Sequence, residues 1–145
     1  MKIGQGRQLL LVDDNPHDLE LARAALDLSD LACEVVVTTD GQDALDYLKR
    51  KGRYAYLTDS CPHLVLLDLN MPRLNGFDVL KRLKSNRIFQ HVPVVVFTTS
   101  NDPHDRDLSS ELGADGYVVK PSDMQHLIDV LNDLGRTWLD GQHPN

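Results

Sequence analysis

The sequence predicts an α/β fold: a (βα)₅ doubly wound unit whose five parallel strands form one sheet with helices on both faces. Two observations predict it. Five short apolar runs, of the kind that form fully buried strands, occur along the chain. The segments between them are longer and carry apolar residues three and four positions apart, as on one face of a helix. Because parallel strands are joined by crossover connections, this alternation indicates a parallel sheet.

The five predicted strands are short and rich in valine and leucine. They are QLLLVD (8–13), EVVVTT (34–39), LVLLD (64–68), VPVVVFT (92–98) and GYVVK (116–120). Runs of this length and composition are typical of strands in the interior of an α/β protein.

The predicted helices follow the strands in order. The first four are LELARAALDL (19–28), GQDALDYLKRK (41–51), FDVLKRLK (77–84) and DLSSELGA (107–114). Gly113 is expected to end the fourth. The fifth is expected to open at the capping pattern Ser122-Asp123-Met124-Gln125 and to run toward Trp138. The longest connection, residues 49–63, is polar and aromatic and is expected to be a surface loop.

Length and charge limit the domain organisation and the function classes. The 145 residues are expected to form one domain, 1–145, with no output domain, because only twenty-five residues follow Lys120. A formal charge of −7 argues against binding to nucleic acid or to an anionic membrane. No apolar run approaches the ~18 residues of a membrane span and no signal segment opens the chain, so the protein is expected to be cytoplasmic.

Polar side chains end four of the predicted strands. The first predicted strand ends in Asp13 and Asp14, the third in Asp68, the fourth in Thr98 and the fifth in Lys120. The carboxyl ends of parallel strands meet at one edge of the sheet, where ligands bind, so we expect these side chains to converge. Each has an ordinary alternative: Asp13 and Asp14 fit a helix cap, and Lys120 alone fits a solvated side chain. Their joint placement favours the functional interpretation.

Three converging carboxylates indicate metal-assisted phosphoryl chemistry. Two carboxylates about 4 Å apart repel by roughly 4 kcal/mol at an effective dielectric near 20, so Asp13, Asp14 and Asp68 require a cation beyond Lys120. Oxygen ligands without nearby His or Cys favour Mg2+, or Mn2+, over zinc. Asp68 can act as the nucleophile, because a carboxylate can accept a phosphoryl group. Thr98 and Lys120 would then bind the phosphoryl oxygens that the metal leaves free.

Four motifs resemble the receiver domain of two-component response regulators. They are LLVDDN, LVLLDLNMPRLNG, VVVFTT and GADGYVVKP, and the match covers nearly the whole chain. The spacing agrees as well, with thirty positions from Asp68 to Thr98 and twenty-two from Thr98 to Lys120. Each motif alone is weak, but the ordered set is specific. The resemblance implies the flavodoxin-like (CheY-like) fold of that family.

The resemblance also implies the phosphorylation chemistry of that family. Asp68 would be phosphorylated by a partner histidine kinase. Asp13, Asp14 and Asp68, together with the backbone carbonyl of Asn70, would bind Mg2+. The protein would catalyse only its own phosphorylation and slow dephosphorylation, and would not be an enzyme acting on an external substrate.

A further set of matching residues implies a response to the phosphate. Thr98 and Lys120 would sense it, and Tyr117 matches the aromatic switch of the family. As Thr98 moves toward the phosphoryl group, Tyr117 would turn inward and reshape the face made by the fourth helix, the fifth strand and the fifth helix. Without the motif, Tyr117 fits an ordinary half-buried strand aromatic. The Lys120–Pro121 bond would be the cis peptide of the family.

Several details resemble the single-domain regulators that are paired with bacterial phytochromes. These are the long connection before the third strand, the run Thr98-Thr99-Ser100 and the late Thr137-Trp138-Leu139. They imply a phytochrome-type kinase as partner and an unidentified downstream protein as target. A homodimer is expected through the helix 4, strand 5, helix 5 face and the Trp138 region. Trp138 and Leu139 fit either core packing or an interface, and the enrichment of aromatic residues at interfaces favours the second. Thr99, where many receivers have alanine, is expected to narrow the access to Asp68.

Three alternatives come from other function classes. A metal-dependent phosphohydrolase with an aspartyl nucleophile is the main one, but Asn70 occupies the position of its general acid and base. A flavodoxin-like FMN carrier shares the topology, yet the acidic VDDNPHD would repel a phosphate. A pseudo-receiver would be expected to lack Asp68, Lys120 or the acidic pair, and none of these is missing.

Overall fold

Five strands form one parallel sheet in the computed structural model, which describes residues 2–58 and 61–140. The strands are β1 (Gln8–Val12), β2 (Glu34–Thr38), β3 (Leu64–Leu67), β4 (Val94–Thr98) and β5 (Gly116–Val119). Their order in the sheet is β2-β1-β3-β4-β5, and all neighbouring pairs are parallel. The predicted α/β fold is therefore confirmed, with β3 at the centre of the sheet.

Helices pack on both faces of this sheet. They are α1 (Pro16–Leu28), α2 (Gly41–Lys49), α3 (Gly76–Lys84), α4 (Pro103–Glu111) and α5 (Met124–Trp138). One apolar core joins α1 and α5 to Leu9 and Leu11 of β1, and a second joins α2 and α3 to Leu10 and Val12. Successive residues of β1 thus enter opposite cores, as expected for a strand buried on both faces.

The helices do not all begin at the residues that the sequence pattern predicts: α1 begins at Pro16 rather than at position 19, and α4 and α5 differ for a reason that they share. α4 begins at Pro103, four residues before the predicted position 107, because Asp102 caps it and proline suits the first helical position. α5 begins at Met124, and its N-cap is Asp123 rather than Ser122. In both helices a short acidic side chain satisfies a free backbone N–H at the start, which fixes where the helix begins.

The first part of the connection between α2 and β3 is tied to α2. Its Gly52–Tyr54 segment forms a 3-10 turn. The ring of Tyr54 packs edge-on against that of Tyr47, with centroids 5.1 Å apart, and its hydroxyl donates to Asp43 at 3.0 Å. Arg53 lies 2.8 Å from the same carboxylate. The connection is therefore attached to α2 by one aromatic pair and one shared acid.

The two ends of the described chain pack together. Ile3 forms a parallel bridge with Leu31, and the backbone N–H of Gly4 donates to Asp140 at 2.7 Å. Met1 and residues 141–145, which belong to the predicted domain 1–145, lie outside the described residues. Among the helices of residues 2–58 and 61–140, none combines the length and the hydropathy that crossing a bilayer requires.

Gly76 allows α3 to approach the end of β3 closely. A Cβ atom at this position would lie 2.3 Å from the carbonyl oxygen of Asp68 and 2.6 Å from Cα of Leu69, both backbone atoms. We predict that Gly76→Ala lowers the free energy of unfolding, measured by urea denaturation, by about 1–3 kcal/mol, the usual cost of overpacking. Gly116→Ala is the matched control, because its nearest new contact, Val95 Cγ2 at 3.4 Å, is ordinary. Equal losses in the two variants would contradict this account of Gly76.

Candidate functional site

The structure brings the predicted site residues to the carboxyl edge of the sheet. Asp13, Asp68 and Lys120 are each the first residue after a strand, Asp14 follows Asp13, and Thr98 is the last residue of β4. Because β3 lies between β1 and β4, Asp68 has the acids of β1 on one side and Thr98 on the other. The exposed fractions of Asp13, Asp68 and Thr98 are only 3%, 6% and 0%. The edge therefore holds a buried polar cluster.

The ammonium group of Lys120 contacts three carboxylates. Its Nζ lies 2.5 Å from Oδ2 of Asp13, 2.9 Å from Oδ2 of Asp18 and 3.2 Å from Oδ2 of Asp68. The Lys120 side chain is 8% exposed. An ammonium group has three protons to donate, so each carboxylate can receive one. Lys120 therefore supplies the positive charge that partly neutralises these acids.

Burial and these contacts shift two pKa values. Burial raises the pKa of Asp13 and outweighs the hydrogen bonds from Lys120 and from the backbone of Asn15, which lower it. Burial alone would lower the pKa of Lys120, but its hydrogen bonds to Asp13 and Asp18 and the charge of Asp68 raise it above the ordinary value. The charged form of Lys120 therefore stabilises the fold, and that contribution is lost only as the pH rises through the raised pKa.

Asp13, Asp14 and Asp68 also form a group with the spacing of metal ligands. Each offers one carboxylate oxygen, and these oxygens all lie within 4.8 Å of one another. The donor set contains oxygen alone, which suits hard cations such as Mg2+ and Mn2+. Asp14 is only half-buried, so the group is open to solvent on one side. The residues present fit a divalent ion.

Backbone N–H groups orient two of the acids. Asn15 N donates to Oδ1 of Asp13 at 2.9 Å, and Asn70 N donates to Oδ1 of Asp68 at 3.3 Å. In both acids the other oxygen, Oδ2, contacts Lys120. The N-cap of α1 is Asn15, so helix capping does not account for Asp13. Coordination through the carbonyl of Asn70 stays a prediction.

A short chain of hydrogen bonds links Thr98 to Tyr117. The backbone N–H of Ser100 donates to Oγ1 of Thr98 at 3.3 Å, and the Tyr117 hydroxyl donates to the carbonyl of Ser100 at 2.9 Å. The Ser100 hydroxyl donates to Asp105 at 2.6 Å, and the guanidinium carbon of Arg106 lies 4.5 Å from the centroid of the Tyr117 ring. Tyr117 is therefore attached both to α4 and to the connection that follows Thr98.

A cavity of about 260 Å³ opens beside Lys120 between α1 and the connection from β5 to α5. Thr99 and Phe97 line it from the side of β4, and Pro121 lines it from the other connection. Thr99 is exposed at this cavity, and its predicted effect on the access to Asp68 stays a prediction.

Two findings depart from the sequence-based expectations. The contact between Asp18 and Lys120 was not predicted, because the sequence pattern marks Asp18 only as part of a helix start; its place in the first turn of α1, five residues after Asp13, was the available signal. The expectation of a cis Lys120–Pro121 bond is wrong, since the described residues contain no cis peptide bond. The trans form before proline is favoured intrinsically by about 0.5–1 kcal/mol.

Known proteins are similar to this chain in sequence and in fold. The chain matches the family "Response regulator receiver domain" over residues 9–132. Response regulator Rcp1 of Synechocystis sp. is 33% identical over 132 residues, which are 91% of this chain and 88% of Rcp1. A solved Mn2+-bound form of Rcp1 has a TM-score of 0.81 at 32% identity and covers 93% of this chain and 96% of its own.

Two further solved structures are similar along nearly the whole chain. The phosphorylated cyanobacterial phytochrome response regulator RcpA has a TM-score of 0.84 at 35% identity, covering 95% of this chain and 96% of RcpA. The bacteriophytochrome response regulator RtBRR has a TM-score of 0.79 at 40% identity, covering 96% of this chain and 84% of RtBRR. The family match, these identities and the acidic edge of a five-stranded parallel sheet agree, and the chain belongs to the response regulator receiver family, as a homologue of phytochrome response regulators.

Proposed function

We propose that this chain accepts a phosphoryl group on Asp68 from a partner histidine kinase and signals by phosphorylation-dependent binding to other proteins. The position of Lys120 carries the proposal, because its ammonium lies 3.2 Å from Oδ2 of Asp68 within a cluster of carboxylates. A buried ammonium held there is placed to neutralise a phosphoryl group that arrives on one of those acids. Membership of the receiver family supports the same chemistry.

Asp68 is the proposed acceptor because of its place in the sheet. It follows the central strand β3, with Asp13 beyond β1 on one side and Thr98 of β4 on the other. The Asp68 oxygen would attack phosphorus, and the P–N bond to the imidazole of the kinase would break as the new P–O bond forms. Such transfers depend mainly on holding donor and acceptor in line. The backbone bond from Asn70 to Oδ1 holds the Asp68 carboxylate in one orientation.

Asp13, Asp14 and Asp68, with the backbone carbonyl of Asn70, would hold a Mg2+ or Mn2+ ion. The oxygen-only donor set of the acids supports this assignment, and so does the Mn2+-bound form of Rcp1. When bound, the ion supplies positive charge against the oxygens of the phosphoryl group. Asp13 and Asp14 are thus proposed as ligands that take no phosphate themselves.

The residue at position 70 argues against a phosphohydrolase. In that mechanism an acid two residues after the nucleophile exchanges a proton during turnover. Asn70 stands at that position here, and an amide cannot serve as general acid and base. In the proposed function the protein therefore catalyses its own phosphorylation and loses the phosphate slowly, without turning over an external substrate.

The proposed signal passes from Thr98 to the face of α4, β5 and α5. The Thr98 hydroxyl accepts a bond from Ser100 N, and it would donate its own proton to a phosphoryl group on Asp68, so that Thr98 would draw Ser100 with it. Ser100 also carries the acceptor for the Tyr117 hydroxyl, so a shift of Ser100 would turn the ring with it, and this hydrogen bond would hold the ring in its new position. Thr98 and Tyr117 are accordingly the proposed switch residues, and Lys120 is the proposed second contact to the phosphate.

The proposed partners are a phytochrome-type histidine kinase, a second copy of this chain and an unidentified downstream protein. RcpA and RtBRR, which this chain resembles, are phytochrome response regulators by name. A homodimer through the α4, β5, α5 face is supported by β5, an edge strand whose residues are all half-buried. Half-buried Ile128, Leu134 and Trp138 of α5 add apolar surface.

We predict that Asp68→Asn abolishes phosphate incorporation from a small-molecule phosphodonor in Mg2+, because the amide is not a nucleophile of this kind. Intact-protein mass spectrometry measures the incorporation, and circular dichroism checks the fold, which the isosteric change leaves intact. Asp40→Asn is the matched control: Asp40 also follows a strand, but it caps α2, which asparagine does equally well. Phosphate on Asp68→Asn would place the acceptor elsewhere, and rapid multiple turnover by the wild type would favour a phosphohydrolase.

Asp13→Asn tests the charge balance of the cluster. Burial raises the pKa of Asp13, so its ionised form is less stable in the folded chain than in the unfolded chain. We predict that Asp13→Asn raises the free energy of unfolding by on the order of 1 kcal/mol at pH 7 in EDTA, measured by urea denaturation. The gain disappears as the pH falls below the ordinary pKa of Asp, about 3.9, where the carboxyl is protonated in both states.

Addition of Mg2+ is expected to make the wild type more stable to urea than Asp13→Asn, because the wild type gains binding energy through a ligand that the variant lacks. A variant less stable than the wild type in EDTA at pH 7 would contradict the raised pKa. If Mg2+ raised the free energy of unfolding equally in both proteins, Asp13 would not be a ligand of the ion.

Tyr117→Phe tests the proposed switch by deleting only the hydroxyl that bonds to Ser100. We predict unchanged incorporation of phosphate and a dimer of the phosphorylated form about fivefold weaker by analytical ultracentrifugation, the effect of one hydrogen bond worth about 1 kcal/mol. Tyr56→Phe, at an exposed tyrosine of the connection before β3, is the control that leaves both measurements unchanged. An equally stable phosphorylated dimer in Tyr117→Phe would exclude its hydroxyl from the switch.

A further inference from the structure

Asp18 is a partner of Lys120 that lies outside the candidate metal group. Its Oδ2 is 2.9 Å from the Lys120 ammonium, whereas the acids with metal-ligand spacing are Asp13, Asp14 and Asp68. Lys120 is therefore shared between two acids that the proposed function assigns to a metal ion and one acid that it does not use. No role for Asp18 follows from phosphoryl acceptance alone.

The position of Asp18 is fixed by the start of α1. Asn15 caps this helix by accepting a hydrogen bond from the backbone N–H of Asp18 at 3.1 Å. The Asp18 side chain is 21% exposed and reaches across to Lys120, 102 positions later in the chain. The rigid first turn therefore presents one carboxylate to the ammonium from the side of α1.

A divalent ion and the Lys120 ammonium compete for the same carboxylates. The shortest contact of Lys120 is to Oδ2 of Asp13, and its longest is to Oδ2 of Asp68. Both acids are proposed metal ligands, and two cations on one carboxylate repel each other. Binding of the ion therefore weakens two of the three hydrogen bonds of Lys120, whose side chain is almost fully buried. Asp18 is the contact that this competition leaves intact.

We propose that Asp18 is a positioning residue. It holds the Lys120 ammonium when Asp13 and Asp68 bind a divalent ion, and it thereby lowers the free-energy cost of binding that ion. The proposal rests on the proposed function, since it assumes that these acids bind the ion. Asp18 itself binds neither the ion nor the phosphate and acts through Lys120. It also keeps the ammonium close to Asp68, where the phosphoryl group arrives.

A double-mutant cycle separates this role from a simple effect of negative charge. If Asp18 acted on the ion directly, its removal would weaken binding whether or not Lys120 is present. If it acts through Lys120, the effect disappears once the lysine is replaced. The required proteins are the wild type, Asp18→Asn, Lys120→Met and the double variant, with Asp18→Glu as the charge-conserving variant.

The test is the dissociation constant for Mg2+ alone, measured by isothermal titration calorimetry on the unphosphorylated chain. Asp18→Asn is expected to weaken binding by about three- to tenfold, and Asp18→Glu to recover most of that loss. In the Lys120→Met background the same Asp18→Asn change is expected to alter binding by less than about twofold. Urea midpoints of all five proteins verify that each is folded.

The rate of phosphate incorporation gives a second, independent readout. Asp18→Asn is expected to require about three- to tenfold more Mg2+ for half-maximal incorporation, with a rate near that of the wild type at saturating Mg2+. A merely structural role would lower the rate at every Mg2+ concentration. Either that result or an equal loss of Mg2+ affinity in both Lys120 backgrounds would overturn the proposal.

The failure of this proposal differs from the failure of the proposed function. If wild type binds Mg2+ and is labelled on Asp68 while Asp18→Asn behaves identically, the role of Asp18 is wrong and phosphoryl acceptance stands. If wild type binds no Mg2+, both are overturned together. Asp43→Asn, in the first turn of α2 and paired with Arg53, controls for the loss of one acid near the same edge.

Discussion

The ammonium group of Lys120 lies among more negative charge than it can neutralise, and the properties of the site follow from that imbalance. Asp13, Asp18 and Asp68 are within hydrogen-bonding distance of it, and Asp14 belongs to the same acidic group. Each pair of carboxylates about 4 Å apart costs roughly 4 kcal/mol at an effective dielectric near 20. One lysine offsets part of this cost. The remainder is the electrostatic reason why the proposed site would take up a second cation and why a phosphoryl group would enter it together with that cation.

The parallel sheet holds these like charges together against their repulsion. The strands β1, β3 and β4 are buried along their whole length, so polar side chains lie only at the ends of these strands. β3 is central in the sheet. The start of α3 packs directly on the backbone that follows β3, and only glycine fits at position 76 there. Asp68 therefore follows a strand that has a neighbouring strand on each side and a helix packed against its end. The packing energy of two apolar cores offsets the electrostatic cost of the acidic edge.

The sequence predicts the sheet and the acidic edge because one local pattern defines both: an apolar run that ends on a polar residue, as at Asp68. The contact between Asp18 and Lys120 could not be predicted in this way. Its contact with Lys120 joins residues 102 positions apart and depends on how α1 packs beside α5. The start of α4 was misplaced because its first turn is polar and shows no apolar period, although Asp102 and Pro103 form a recognisable start signal.

The hydrogen bonds around Thr98 indicate why the switch would respond to the whole site rather than to one contact. Moving a two-state equilibrium from about 1:99 to 99:1 requires roughly 5.5 kcal/mol. A hydrogen bond to a charged group contributes roughly 1.5–3 kcal/mol, so neither Thr98 nor Lys120 alone would supply it. Thr98 can keep accepting the bond from Ser100 N, at 3.3 Å, while it donates to a phosphoryl group, so its movement would be passed to Ser100 through that bond. A phosphoryl group that engages Thr98, Lys120 and a cation together would therefore move Ser100, and with it the acceptor of Tyr117, whereas a bound cation alone would not.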